Sequence, residues 1–184
     1  MLYSYVVDHD DGFAPNPEEG LCTLARCKFG TTRRNIVEMA EIDDWIVGTG
    51  GIDLRKSAGH GRLVYAMKVT DKISLAEYFR DYAERFDAKY PCGTRGRYAL
   101  LSNHHHYFGQ NAVMIPSHLL SVEKQSQGYK SRSFTSDFVQ QVLDWLSTLP
   151  LGKHGDPCQS DAERLVRLAC RRSQCKPKRS KARC

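Results

Sequence analysis

At 184 residues, 41% hydrophobic and 26% charged, the chain has the balance of one soluble globular domain with a sizeable core, and too little length for two. No run approaches the ~18–20 apolar residues of a membrane span. The opening Met1-Leu2-Tyr3-Ser4-Tyr5-Val6-Val7-Asp8 lacks a basic leader and turns acidic early, so a cytoplasmic location is expected. The net charge of +6 is uneven, because residues 160–184 hold nine Lys and Arg against Asp161 and Glu163 and the remainder is close to neutral.

Residues 2–9 form an apolar, β-branched and aromatic run, a predicted strand. Residues 10–20 are turn chemistry, with two prolines, two glycines and Phe13. A Pro-rich loop beside a strand end is well placed to present ligand contacts. Residues 21–28 fit a short strand. Arg33 and Arg34 then precede a short amphipathic segment over 35–41.

A strand is predicted over 44–49, followed by a flexible connection over 50–61 with Gly50-Gly51 at one end and Gly59-His60-Gly61 at the other. The run 62–70 is apolar almost throughout and reads as a strand buried on both faces. Ser74-Leu75-Ala76-Glu77 is a capping box that opens a helix, with Leu75, Tyr78, Phe79, Tyr82 and Phe86 at helical spacing. A loop over 87–97 leads to a strand over 97–102, then to Asn103-His104-His105-His106-Tyr107-Phe108-Gly109-Gln110-Asn111. A further strand is predicted over 112–115, and 121–133 reads as polar loop. A helix over 136–148 carries Phe138, Val142, Trp145, Leu146 and Leu149 on one stripe, and Pro150 stops it. Ser160-Asp161-Ala162-Glu163 is a second capping box, opening a helix to residue 172. The Lys- and Arg-rich stretch after Cys175 cannot fold alone.

Seven cysteines are an odd number, and in a cytoplasmic chain disulfides are not expected. Cys22-x4-Cys27 and Cys170-x4-Cys175 are spaced more widely than typical structural zinc pairs, so free thiols are expected and no metal or cofactor. Neighbouring residues on a strand face opposite sides, so at most two of His104, His105 and His106 share a side. Metal binding there would need His9, His60 or His154. A solvent-facing cluster, or one histidine hydrogen-bonding at a pocket rim, is the preferred reading. Asp8-His9-Asp10-Asp11 offers general acid–base groups or a cation site, or simply a polar turn closing the first strand. No nucleophile elbow, P-loop, dinucleotide fingerprint or HExxH motif is present.

The segment Asp43-Asp44-Trp45-Ile46-Val47-Gly48-Thr49-Gly50 and its partner Gly61-Arg62-Leu63-Val64-Tyr65-Ala66-Met67-Lys68-Val69 look like the central hairpin of a PUA-like barrel. Gly48, Thr49 and Gly50 would let a flat ring approach the backbone closely. Trp45 or Tyr65 would stack on a base, a contact worth ~1–3 kcal/mol. Each also reads as a core residue, Tyr65 more so. Beyond the hairpin, Leu2-Tyr3-Ser4-Tyr5-Val6-Val7, Gly12-Phe13-Ala14-Pro15-Asn16-Pro17, Cys22-Thr23-Leu24-Ala25, Tyr107-Phe108-Gly109-Gln110-Asn111-Ala112 and Gly152-x-His154-Gly155-x-Pro157 follow in order. Through these motifs the chain resembles the nucleotide-modification-associated domain 2 family, over roughly residues 1–158. It differs in having Asp43-Asp44-Trp45 where the family tends to Gly-Asp-Trp, and in the triple histidine before Tyr107.

The resemblance implies an α+β fold of the PUA/EVE type over 1–158, with a curved mixed sheet or partial β-barrel and flanking helices. A C-terminal helix and basic tail over 159–184 would follow. It implies a binding module for a modified nucleobase or nucleotide, in DNA ahead of RNA, in an aromatic-lined pocket. The setting it implies is phage or bacterial DNA modification, or defence built on it. The residues carried over as ligand contacts are Tyr5, Phe13, Asn16, Trp45, Thr49, Tyr107 and Asn111. Asn16 and Asn111 each offer a donor and an acceptor to a base edge, and Asn111 equally fits a turn. Phosphate contacts fall to Arg33, Arg34, Arg55 and Lys56, and in the tail to Arg171, Arg172, Lys176, Lys178 and Arg179. The tail also reads as a solubilising arm. Two alternatives stand beside this: an enzyme acting on a nucleotide or modified base through His104 to His106, Asp8 or His9, and a binder of a free signalling nucleotide.

Overall fold

The computed structural model describes residues 1–25, 35–85, 96–126 and 128–159. In chain order the strands are β1 (Leu2–Val7), β2 (Asn16–Glu18), β3 (Leu21–Leu24), β4 (Trp45–Gly50), β5 (Arg62–Lys68), β6 (Asp71–Ser74), β7 (Tyr98–Ser102), β8 (His104–Tyr107), β9 (Val113–Met114), β10 (Tyr129–Lys130) and β11 (Gly152–Lys153). The α-helices are α1 (Ile36–Met39), α2 (Leu75–Asp81) and α3 (Ser136–Ser147), and short 3-10 turns cover Gly109–Asn111 and Ser117–Val122.

The strands form two sheets. The first, of seven strands, runs β10-β1-β4-β5-β8-β11, with β9 also paired to β5. It is mixed: β1 lies parallel to β4 and β11 parallel to β8, while β4–β5 and β5–β8 are antiparallel. The second sheet, β2-β3-β7-β6, is antiparallel throughout. The α+β class and the mixed sheet agree with the sequence. The first sheet is not a closed barrel, because it ends at β10 and β11 and the second sheet covers one of its faces.

Three apolar cores hold these layers together. Between the sheets, Tyr3, Tyr5, Val7, Ile46, Tyr65, Met67 and Tyr107 meet Cys22, Leu24 and Leu100. On the far face of the first sheet, Leu2, Val47, Leu63 and Ala66 pack under Leu119, Val142 and Leu146. On the far face of the second, Ala25, Ala99 and Leu101 pack under Leu75 and Tyr78 of α2. Strand β5 is central, with Leu63 to Met67 fully buried, as its apolar run requires.

The helix starts follow the capping rules. The Ser74 hydroxyl accepts from the Glu77 amide at 3.2 Å and the Glu77 carboxylate accepts from the Ser74 amide at 2.8 Å, completing the capping box. Thr135 caps α3 by accepting from Phe138 N–H at 3.3 Å. Past α2, the guanidinium of buried Arg85 donates to the carbonyls of Asn16, Glu18 and Leu21 at 2.9, 3.0 and 2.9 Å, holding the β2–β3 hairpin. Among the described residues no helix is long and apolar enough to cross a membrane. The helix expected over 160–172 lies outside the described residues, as do Cys27, Arg33, Arg34 and the basic tail.

Candidate functional site

Strands β1, β4, β8 and β11 all point the same way, since β4 and β8 both run antiparallel to β5. Their C-terminal ends therefore deliver the segments 8–15, 51–61, 108–112 and 154–159 to one edge of the first sheet. Asp10 is where three of these segments meet. It is 1% exposed. Its amide donates to the Lys56 carbonyl at 2.7 Å, and its own carbonyl accepts from Gln159 N–H at 2.9 Å. Its carboxyl accepts the Tyr107 hydroxyl at 2.6 Å on Oδ1 and the Cys158 amide at 3.1 Å on Oδ2. Around it, Ser57 donates to the Val7 carbonyl and accepts from Gly51 N–H at 2.8 Å. His154 N–H donates to Tyr107 O at 2.7 Å, and Gln110 N–H to Asp156 O at 2.8 Å.

From Asp10 a row of tyrosines crosses the first sheet on its inner face. The cross-strand register aligns Tyr107, Tyr65, Gly48 and Tyr5 on β8, β5, β4 and β1. Gly48 has no side chain, so the Tyr65 ring lies across β4 and reaches Tyr5. Their hydroxyl oxygens are 2.7 Å apart and their rings meet edge to face at 5.9 Å.

A family model described as nucleotide modification associated domain 2 matches residues 1–95 and 92–164. The chain belongs to that family. No curated protein and no solved structure matches it significantly.

In this member of the nucleotide modification associated domain 2 family, burial sets the protonation states of the site. Burial raises the Asp10 pKa, opposed by the hydrogen bonds it accepts from Tyr107 and Cys158. Burial and the neighbouring Asp10 also raise that of Tyr107, which keeps its proton and donates it. The Cys158 thiol is pushed up to about 12, by burial first and by Asp10 next, so at neutral pH it is not a thiolate and not a nucleophile.

A pH dependence follows from Asp10. Its folded pKa lies above the ordinary 3.8, so the stability it contributes is fully present below that value and is lost as pH rises through the folded pKa. The stability of the wild type relative to Asp10→Asn should therefore fall as pH rises above about 3.8, read as the difference between urea midpoints. A flat difference would show that the carboxyl titrates normally.

The seven expected ligand contacts divide by face. Tyr5 and Tyr107 belong to the tyrosine row, joined by Tyr65. Phe13 is buried in the 8–15 segment, and its amide donates to the Asp11 carboxylate at 3.2 Å. Asn16 is buried in β2 opposite Thr23. Thr49 follows an irregularity in the β4–β5 pairing and its hydroxyl donates to the Tyr5 carbonyl at 3.3 Å. Trp45 lies on the opposite face of the sheet from Tyr107, in the core beneath α3, with its ring near His104 and His106 at 5.4 and 6.3 Å. Trp45 and Tyr107 therefore do not line one slot. Asn111 is exposed and donates to the His154 carbonyl at 2.8 Å, the turn role it also fitted.

Of the phosphate candidates, Arg55 and Lys56 are described, and both pair with Asp53, at 3.1 and 2.9 Å. His104 and His106 share one face and His105 takes the other, as alternation requires. Among the described residues no group of three or more His, Cys, Asp or Glu is placed to hold a metal ion. Asp10 and Cys158 were not among the expected contacts, and Tyr65 was expected in the core ahead of a stacking role. Asp10 was visible only as one acid in Asp8-His9-Asp10-Asp11.

Proposed function

We propose that the chain is a PUA/EVE-type recognition module that holds a modified nucleobase, presented in DNA, against the tyrosine row. What carries this reading is a line of tyrosine hydroxyls ending on a buried carboxyl, at the edge where four strands deliver their loops, in a member of a family associated with nucleotide modification. Aromatic rings supply faces for a planar heterocycle, and hydroxyls and a carboxyl supply donors and acceptors for its edge. Tyr5, Phe13, Asn16, Thr49 and Tyr107 would form the ligand's surroundings. Trp45 and Asn111, set apart from the row, would meet the polymer from outside. The Cys158 thiol, kept protonated, favours binding over covalent chemistry.

A base in duplex DNA reaches such a site only by leaving the stack. The 51–61 segment stands at the same edge and exposes Ile52 at 80% and Leu54 at 74% beside Arg55 and Lys56. In this reading its apolar tips meet base faces and its cations meet phosphates, in competition with Asp53. Arg33, Arg34, Arg171, Arg172, Lys176, Lys178 and Arg179 would extend the phosphate contacts, and the setting would be cytoplasmic DNA modification or defence.

The test is a thermal-shift screen of the full chain against unmodified and modified deoxynucleosides. Oligonucleotides carrying the responding base are then titrated with and without residues 173–184. We expect one class of modified base to stabilise the protein, and the truncation to weaken oligonucleotide binding and flatten its salt dependence, by a log–log slope of ~0.7–0.9 per lost phosphate contact. Stabilisation by no nucleoside and no oligonucleotide would overturn the proposal. Free-nucleotide binding untouched by the truncation would move it to a signalling ligand, and turnover of the bound compound to an enzyme.

A further inference from the structure

His105 sits two residues before Tyr107 on β8 and is aligned with Met67, so it shares the inter-sheet face with the tyrosine row. It is 2% exposed, and neither ring nitrogen has a hydrogen-bond partner among the described residues. Burial lowers its pKa, and the nearby charges of His106 and Arg85 lower it further, so the ring is neutral and carries one N–H and one bare lone pair. The Ser102 backbone nearby favours protonation of the ring, against the effect of burial. Whichever nitrogen carries the proton, the other is a buried acceptor with no donor among the described residues. Arg85, 5% exposed, also leaves its Nε–H without an acceptor among the described residues. An orphaned buried polar atom is costly, and a donor brought by a bound ligand would relieve that cost.

We infer that the bare nitrogen of His105 accepts a hydrogen bond from a donor on the bound base, an exocyclic amine or a hydroxyl substituent. The inference rests on the proposed nucleobase reading and names the class of base it selects. Bases that present only acceptors and methyl groups toward His105 leave its lone pair unserved and are rejected, because an unpaired buried acceptor penalises the wrong ligand more than it rewards the right one. His105 is thus a reader of donor groups, set beside aromatic faces that tolerate any heterocycle.

The experiment compares the wild type with His105→Phe and His105→Gln by calorimetric titration. The probes are deoxycytidine, 5-hydroxymethyldeoxycytidine, N6-methyldeoxyadenosine and thymidine. We expect tighter binding of amine- or hydroxyl-bearing probes than of thymidine, about tenfold weaker binding of that probe by His105→Phe, and partial recovery in His105→Gln, whose side-chain oxygen accepts. On wild-type protein with 15N-labelled histidine, the unprotonated ring nitrogen of His105 should shift on adding the bound probe, a readout independent of how the variants fold. If the wild type binds a probe but His105→Phe binds it equally and the resonance does not move, this inference falls and the nucleobase reading stands. If the wild type binds no probe, this inference falls, and the nucleobase reading falls with it only if the wider nucleoside screen and the oligonucleotides also give no stabilisation.

Discussion

Gly48→Ala is expected to destabilise the protein by about 3 kcal/mol, at the upper end of what overpacking a core position costs. An alanine Cβ there would stand 2.7 Å from Val7 Cγ2, with Tyr65 Cδ1 and Cε1 nearer still. Those atoms belong to the body of a ring and cannot swing aside like the end of a flexible chain. The ring must leave β4, and the Tyr5–Tyr65 hydroxyl contact goes with it. For a chain of this length the loss lowers Tm by about 10 °C. A double-mutant cycle isolates the cause. Adding Tyr65→Leu removes the obstructing ring atoms, so the pair should be more stable than the sum of its single losses. Simple additivity would mean that Gly48 acts through something other than the space the ring occupies.

Gly155→Ala should be of similar size, about 3 kcal/mol, through a different route. Its Cβ would meet the Phe108 backbone, with the carbonyl carbon at 3.0 Å and the oxygen closer, and Asn111 Cβ at 3.2 Å. Backbone cannot turn away as a side chain does. On the other side of the same contact, a Cβ on Gly109 would meet the Asp156 carbonyl, and Gly109 also needs its φ of +52°. Forcing 154–159 off the sheet edge breaks His154 N–H to Tyr107 O and the two amide bonds that Cys158 and Gln159 give Asp10. Hydrogen exchange followed by mass spectrometry should show residues 154–159 losing protection while β4 and β5 keep theirs. Cys158, released from the burial and the acidic neighbour that push its thiol up to about 12, should alkylate faster at pH 8. Unchanged protection and unchanged alkylation would show that the edge tolerates the methyl group.

Much of the frame was legible because its signals are local. The Ser74 capping box, the apolar run of β5 and the stripe of α3 each lie within a dozen residues, and each formed as read. For β8 only the alternation of a strand could be read, since three consecutive histidines carry no apolar pattern to fix its bounds or its inner face. They are extended because β5 pairs with them on one side and β11 on the other. The same holds for β2, whose Asn16-Pro17-Glu18 reads as turn chemistry but lies at the edge of its sheet, where a proline costs no ladder bond. The site was less visible than the frame. Alternation along a strand says which residues share a face, but not which face of one strand matches which face of the next. Trp45 and Tyr107 each looked like a pocket aromatic, and only the register across β4, β5 and β8 puts them on opposite sides. Asp10 could not be told from Asp8 or Asp11, because its partners are 97 and 148 residues away.

That last separation has a consequence for how the protein is made. A ribosome adding ~5–20 residues per second releases Asp10 roughly 7–30 s before Cys158, and the two sites lie 148 positions apart. Once β4 is made, β1 can pair with it, yet until the end of that interval the Asp10 carboxyl that follows β1 lacks the Cys158 amide. The surroundings of Asp10 are thus completed only once residues 158 and 159 have been made, and a polypeptide cut short between residues 154 and 157 has every strand of both sheets but not the Cys158 and Gln159 amides that close this edge.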